Sequence, residues 1–319
     1  MKFKKHPNHQ TFLVNTYLVI SSIIWGSTFF TQKDALNFLD PFTLNTYRAI
    51  LGSLVLGIGL WVFKKNPFHN FKIGILTGIL YFAALTAQTV GLNYTTAFNS
   101  GFIVGLFVLF VPIFSFMFLH TKLGVEKIVA VILSILGLWF ATGGVHGCNI
   151  GDLLNLVSAV FWGIYVLAAD KALKNGSGPY SLNFQQLLIT AIFSVFVVGA
   201  QHFLPVHGAW AQNVVPLPMH AVYLIVYLAI FANVIAYCLQ FLAQKYASPI
   251  NVAMLLLLEP VFSGIFACTL GGESFTMTKL MGGMIIVFAI ALSEVEVQNS
   301  VPLSNFKKNF IYMFSKKKS

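Results

Sequence analysis

The sequence predicts an all-α integral membrane protein of ten transmembrane helices, arranged as two inverted five-helix repeats. Three observations carry this expectation. Hydrophobic residues make up 57% of the 319 residues and charged ones only 9%, where soluble domains carry about 25% charged residues. Ten mostly apolar stretches approach or exceed the roughly 20 residues that a helix needs to cross a bilayer: 12–32, 42–63, 73–92, 98–119, 126–145, 151–170, 182–203, 219–239, 249–270 and 277–293. Sequence motifs of the first five stretches recur in the last five, and an odd number of spans per half inverts the second half.

Taken in order, the N-terminal MKFKKHPNHQ mimics the head of a signal peptide. The apolar run behind it has no A-x-A-like cleavage site, so it reads as a retained first span. The connections carry helix breakers: Asp40-Pro41, Asn66-Pro67, Gly143-Gly144, Gly176 to Pro179, Pro216 with Pro218, and Gly271-Gly272. With the N-terminus in the cytoplasm, every lysine except Lys33 and Lys279 falls on the inner side, and Arg48 lies within the second span. This is the positive-inside pattern, and it supports both the span count and cytoplasmic termini. The net charge of +10 therefore faces the anionic inner leaflet rather than nucleic acid. The tail FKKNFIYMFSKKKS reads either as a segment resting on that leaflet or as a solvated tail. Cys148, Cys238 and Cys268 show neither metal spacing nor a disulfide framework.

The repeat can be traced residue by residue. SIIWGSTFFTQKDAL (22–36) aligns with AVFWGIYVLAADKAL (159–173) at an offset of 137, placing Trp25-Gly26 on Trp162-Gly163. Gln88 matches Gln240 and Tyr94 matches Tyr246 at 152, and Pro112 matches Pro260 at 148. The resulting units are 1–146, 147–293 and a basic cytoplasmic tail, 294–319.

The chemistry centres on the ninth stretch, where Glu259 is followed by Pro260. An ionisable group in a spanning helix costs roughly 2.5–3.5 kcal/mol on insertion scales and normally faces a cavity or a partner. The proline removes a backbone donor and opens the helix about one turn upstream, toward Leu256. A carboxylate beside freed carbonyls fits the broken-helix sites of carriers, and a neutral Glu259 bracing a kink is the structural alternative. In the eighth stretch Asn233, Tyr237, Gln240 and Gln244 share one helical stripe, which calls for water or interhelical partners. Tyr81 and Gln88 stand at the matching positions of the third.

Trp25, Thr28 and Gln32, and Trp162 and Tyr165, lie at helical spacing in the first and sixth stretches. A mid-span indole needs an acceptor, and it can also pack beside Gly26 or Gly163 at a close crossing. Arg48 reads as a structural charge pairing with Asp34 or Asp40, with an anion contact at the outer mouth as its other role. Asp152 can cap the sixth span, and Glu273 reads as a loop carboxylate tying outer ends together. The histidines lack H-x-x-x-H or H-E-x-x-H spacing, and there is no Walker A loop, nucleophile elbow or Rossmann fingerprint. No metal, cofactor or catalytic residue is expected, and the chain does not read as an enzyme. A non-transporting polytopic subunit is the alternative from another class.

IIWGSTF, YRAILG, GLNYTTAFNSGFIVGLFVLFVP, NIGDLLNLVSAVFWGIYVLAADKAL and AQKYASPINVAMLLLLEPVFSGIFACTLGGE resemble the drug/metabolite transporter superfamily, EamA-like branch, across roughly residues 12–293. The resemblance implies ten helices, two inverted repeats and a central cavity. It also implies transport of small metabolites: amino-acid export in some members, import or exchange of nucleotide-derived metabolites in others. The family's G-E-[RK] signature is broken here as LHTKLGVEK, so no role passes to Glu126. The combined expectation is a monomeric exporter of a small metabolite such as an amino acid in the bacterial inner membrane. Its substrate contacts are expected at Trp25, Tyr81, Gln88, Asn99, Trp162, Tyr165, Asn233, Tyr237, Gln240 and Glu259, with Glu259 as the coupling group. Arg48, Pro112, Asp152, Pro260 and Glu273 are assigned structural roles.

Overall fold

The computed structural model describes residues 7–119, 124–142, 149–203, 213–270 and 276–294. Cys148, Glu273 and the basic tail lie outside the described residues. Among those residues every regular element is helical, as a chain must be when its backbone polar groups are satisfied within each segment in lipid.

Helix α1 (Pro7–Ala35) leads through a short turn to α2 (Pro41–Val62). Asp40 caps α2 by accepting from Phe42 N at 2.9 Å and Thr43 N at 3.2 Å, with Pro41 at the first helical position. Helix α3 (Phe71–Tyr94) is followed by α4 (Ala97–Gly105) and α5 (Phe107–Leu119), which form one rod broken at Leu106. Next come α6 (Val125–Thr142), α7 (Ile150–Lys174) and α8 (Pro179–Phe203). Asp152 takes its expected place: with Asn149 it forms a capping box at the start of α7, and it also accepts from Thr95 Oγ1 at 2.8 Å.

The next rod contains α9 (Met219–Tyr227), a π-helical stretch over Leu228–Ala236, and α10 (Tyr237–Gln244). Helices α11 (Pro249–Leu256) and α12 (Leu258–Thr269) form another broken rod, and α13 (Met277–Glu294) ends the described chain. Among the described residues seven helical stretches are long and apolar enough to cross a membrane: those at Gln10–Ala35, Phe71–Tyr94, Ala97–Phe118, Ile150–Lys174, Pro179–Gln201, Met219–Gln244 and Pro249–Thr269. Shorter apolar segments occur at Ile128–Gly137 and Leu280–Leu292. Asn45 and Arg48 lower the hydropathy of α2. The protein is thus a multi-pass helical membrane protein.

The two broken rods share their geometry. Thr96 caps α4 by accepting from Asn99 N, and Ser248 caps α11 by accepting from Asn251 N. Leu106 stands at φ −62°, ψ −9° and Leu257 at φ −62°, ψ −11°. The break at Leu257 falls beside Leu256, where Pro260 was expected to open the helix. In the first rod the break lies six residues upstream of Pro112, which itself sits inside α5. The last bonds before these breaks are of the tighter i→i+3 type, Leu106 N to Ile103 O at 3.1 Å and Leu257 N to Met254 O at 3.2 Å.

Close crossings set the helix arrangement. A Cβ added at Gly26 of α1 would lie 2.5 Å from Phe262 Cβ and 3.0 Å from Glu259 O of α12. One at Gly163 of α7 would lie 2.6 Å from Phe110 Cβ of α5. Small residues at such crossings let backbones approach. Here they bring Trp25 and Trp162, each preceding its glycine, toward the centre of the bundle. Outward faces carry exposed Leu54, Ile58, Phe116, Phe196 and Phe288, as suits contact with acyl chains.

Candidate functional site

The polar side chains of the bundle converge on a cavity between its two halves, about 50 Å³ of it open to the centres of water molecules. One water needs roughly 10–15 Å³ on that measure, so the space holds a few waters or a small polar group. Helix α1 contributes Trp25, Thr28 and Gln32, α2 contributes Arg48, and α3 contributes Leu85 and Gln88. The two broken rods contribute Val104, Phe107, Leu256 and Glu259. Trp162, Tyr165 and Val166 come from α7, and Tyr237 and Gln240 from α10. A roomier crevice opens between α4, α12 and α13, but Phe98, Val261, Leu280 and Met284 make it apolar, with no convergent polar groups.

An aromatic box forms much of the wall. The rings of Trp25 and Tyr237 are 4.7 Å apart between centroids, and those of Trp162 and Tyr165 are 5.2 Å apart. Tyr81 stands behind them, edge-on to Tyr237 at 5.1 Å and to Trp162 at 5.6 Å. Both indoles find acceptors, Trp162 Nε1 to Gln88 Oε1 at 3.0 Å and Trp25 Nε1 to Ala232 O at 3.1 Å. These bonds fix the ring planes against the cavity.

The π-helical stretch supplies the second acceptor. Its i→i+5 pattern shifts the register of the backbone groups, and its carbonyls take side chains from neighbouring helices. Asn183 Nδ2 donates to Asn233 O at 3.0 Å and Val234 O at 3.2 Å, and Ser21 Oγ donates to Ala236 O at 3.0 Å. Nothing in the apolar periodicity of 219–239 pointed to this change of helix type.

Arg48 is only 3% exposed. Its Nη1 donates to Gln32 Oε1 at 2.9 Å, and Nε and Nη2 both donate to Asn233 Oδ1, at 3.2 and 2.8 Å. Neither expected carboxylate is its partner. Asp34 is 2.7 Å from His220 Nε2, and Asp40 is committed to the cap of α2. Asp34 stands at the C-terminal end of α1 and Asp40 at the N-terminal end of α2, about two helical turns before Arg48. Glu259 faces the same cavity, and no hydrogen bond or ion pair to a described residue engages its carboxylate.

Of the expected substrate contacts, Trp25, Gln88, Trp162, Tyr165, Tyr237, Gln240 and Glu259 are brought together on the wall. Tyr81 and Asn233 stand one layer back, joined by a hydrogen bond of 3.2 Å from the phenol to Asn233 Oδ1. Asn99 is not brought to the wall: it lies in the first turn of α4, where its backbone N–H bonds the Thr96 cap. Three polar wall residues, Thr28, Gln32 and Arg48, were not among the expected contacts, although Thr28 and Gln32 share the helical face of Trp25. Gln244 continues the stripe of Gln240 but bonds Val166 O at 2.6 Å, as interhelical glue. Among the described residues no three His, Cys, Asp or Glu side chains are grouped to hold a metal ion.

Comparison with known proteins is consistent with this architecture. The model of the EamA-like transporter family matches twice, over residues 13–143 and 149–294. An uncharacterized transporter of Archaeoglobus fulgidus is 32% identical over 88% of this chain and 85% of its own length. The uncharacterized transporter YvbV of Bacillus subtilis is 27% identical over 91% of this chain and 93% of its own. The S-adenosylmethionine/S-adenosylhomocysteine transporter of Chlamydia muridarum is 25% identical over 81% of this chain and 84% of its own. A solved crystal structure shares the fold at a TM-score of 0.70 and 18% identity, covering 88% of this chain and 96% of that one.

Proposed function

The chain belongs to the EamA-like transporter family of the drug/metabolite transporter superfamily, and from that premise we propose that it exports a small metabolite, such as an amino acid, across the bacterial inner membrane. The observation that carries this reading is the cavity itself. Aromatic rings, amides, one guanidinium and one carboxylate converge at a point where helices of both halves meet. Small-molecule sites have this mixture of apolar wall and few polar anchors.

The mechanism is alternating access by two inverted five-helix halves, 1–146 and 147–293, rocking about the cavity with both termini in the cytoplasm. Its support is the double match of the family model and the paired geometry of the two broken rods, capped by Thr96 and Ser248 and bent at Leu106 and Leu257. Ten crossings follow if α2, α6 and α13 span as well. The working unit is a monomer.

A second reading, transport of a nucleotide-derived metabolite, draws on the named Chlamydia relative and on the flat faces of Trp25 and Trp162, which can stack on a base. Counterflow in proteoliposomes against a panel of amino acids and S-adenosyl compounds tests both. Exchange of an amino acid well above empty liposomes is the expected result. Exchange of S-adenosyl compounds alone would favour the second reading, and no accelerated exchange of any compound would overturn transport.

A further inference from the structure

Arg48 is the only arginine in the sequence; every other basic side chain that is charged at neutral pH is a lysine. Arg48 is 3% exposed and lines the cavity, and although Glu259 lines the same cavity, no carboxylate among the described residues is within ion-pair distance of the guanidinium. Its neighbours are neutral: the amides of Gln32 and Asn233, and the Tyr81 phenol bonded to the same Asn233 oxygen. A guanidinium has five N–H donors. The bonds to those two amides use three, which leaves each terminal nitrogen one donor for a group in the cavity or for the Tyr81 phenol beside it.

An arginine stays charged in proteins, and a buried charge without a partner is costly to hold. The two amides fix the orientation of the guanidinium without neutralising it. The missing counter-charge has a place to arrive, because the cavity lies directly against this side chain.

We propose that Arg48 is the docking point for an anionic group of the cargo, and that the transported molecule carries a carboxylate. The planar guanidinium matches a carboxylate in shape and charge. The rings of Trp25, Trp162, Tyr165 and Tyr237 then enclose the rest of a small, partly apolar or flat molecule. This assignment rests on the transporter reading only in placing a cargo in the cavity. It changes Arg48 from a structural residue into a binding one, and it selects organic acids and amino acids over amines that lack an acid group.

A single arginine makes the test direct. Phenylglyoxal, which is selective for arginine, is applied to the full-length protein in membranes, and modification is read by intact mass and fragmentation. An Arg48→Lys variant gives the background. Three probes are then compared as protectants: phenylalanine, 3-phenylpropanoate and phenylalaninamide. The expected result is modification at Arg48, reduced several-fold by the two acids and unchanged by the amide. Lack of modification at Arg48 without a probe, protection by none of the three, or equal protection by the amide would each overturn the proposal. A parallel counterflow assay separates this from the broader reading. Protection by acids that are never exchanged keeps the anion site and removes the transport role. Equal exchange of the acids and the amide keeps transport and removes the role of Arg48.

Discussion

Arg48 and Asn233, 185 residues apart in sequence, are joined by two hydrogen bonds to a single amide oxygen, from Nε at 3.2 Å and Nη2 at 2.8 Å. The amide nitrogen returns a bond to Arg48 O at 3.3 Å. One asparagine in the π-helical stretch thus locks α2 to the second half of the molecule. Tyr81 of α3 joins through the same oxygen, so three rods meet at one acceptor.

Replacing that acceptor should loosen the bundle. Asn233→Leu leaves two donors of a buried guanidinium unpaired, and hydrogen bonds to charged groups contribute about 1.5–3 kcal/mol. A lower melting temperature in detergent is expected. Asn233→Asp should melt above the Leu variant, because a carboxylate accepts the same guanidinium bonds, although it loses the bond donated to Arg48 O. A Leu variant as stable as wild type would show that the lock contributes nothing.

The crossings at Gly26 and Gly163 should both resist a methyl group, but they should respond differently to relief. Overpacking costs roughly 1–3 kcal/mol. At Gly163 the near contact is Phe110 Cβ, with Phe110 backbone atoms at 3.4 Å or more, so Phe110→Gly should recover part of the loss in Gly163→Ala. At Gly26 the added atom also meets Ser263 N at 2.9 Å and Glu259 O at 3.0 Å. Backbone cannot be trimmed, so no change at Phe262 should rescue Gly26→Ala. Gly59→Ala is the control, since nothing lies within 4 Å of its added Cβ. It should melt at or slightly above wild type.

Glu259 carries a carboxylate that faces the cavity and contacts no hydrogen-bonding partner among the described residues. If it exchanges a proton for cargo, Glu259→Gln should abolish accumulation driven by a pH gradient while leaving cargo binding and cargo–cargo exchange measurable. Proteoliposome uptake run beside equilibrium binding reads both. Wild-type transport indifferent to the imposed gradient would remove Glu259 from coupling. Loss of binding itself, by about 1.5–3 kcal/mol, would make it a direct cargo contact.

The arrangement in the membrane is tested by reporter fusions. Fusions after residues 66, 122, 174 and 245 should report cytoplasm, and those near 38, 147, 210 and 273 the opposite side, because the lysines divide that way. A signal from the outer side at 174 would remove both the ten-crossing count and the inversion of the halves.

Much of the site was legible because its residue types conflict with a lipid-facing helix. Trp25, Trp162, Gln240 and Glu259 stand out in apolar stretches, and helical spacing alone puts Tyr237 on the same face as Gln240. Asn99 shows the limit of that logic. Its polarity marked it like the others, yet the fold leaves it off the wall, and residue type alone does not separate the two cases. Arg48 shows the converse: its charge was evident, but its partners were amides from α1 and the π-helical stretch rather than nearby aspartates.

By itself the sequence determined the class of the molecule, the positions of its apolar helices and the helix start that Asp152 can cap. These depend on hydropathy and on contacts within a few residues, which the order of the chain contains. The tertiary structure decided which faces meet, that the break in the first broken rod falls at Leu106 and not beside Pro112, and that 228–236 winds as a π-helix. It also decided that Arg48 shares its cavity with Glu259 yet has no carboxylate in ion-pair reach among the described residues. These are settled by side chains more than a hundred residues away filling, or leaving open, the space opposite, and local periodicity carries no record of what lies across a gap.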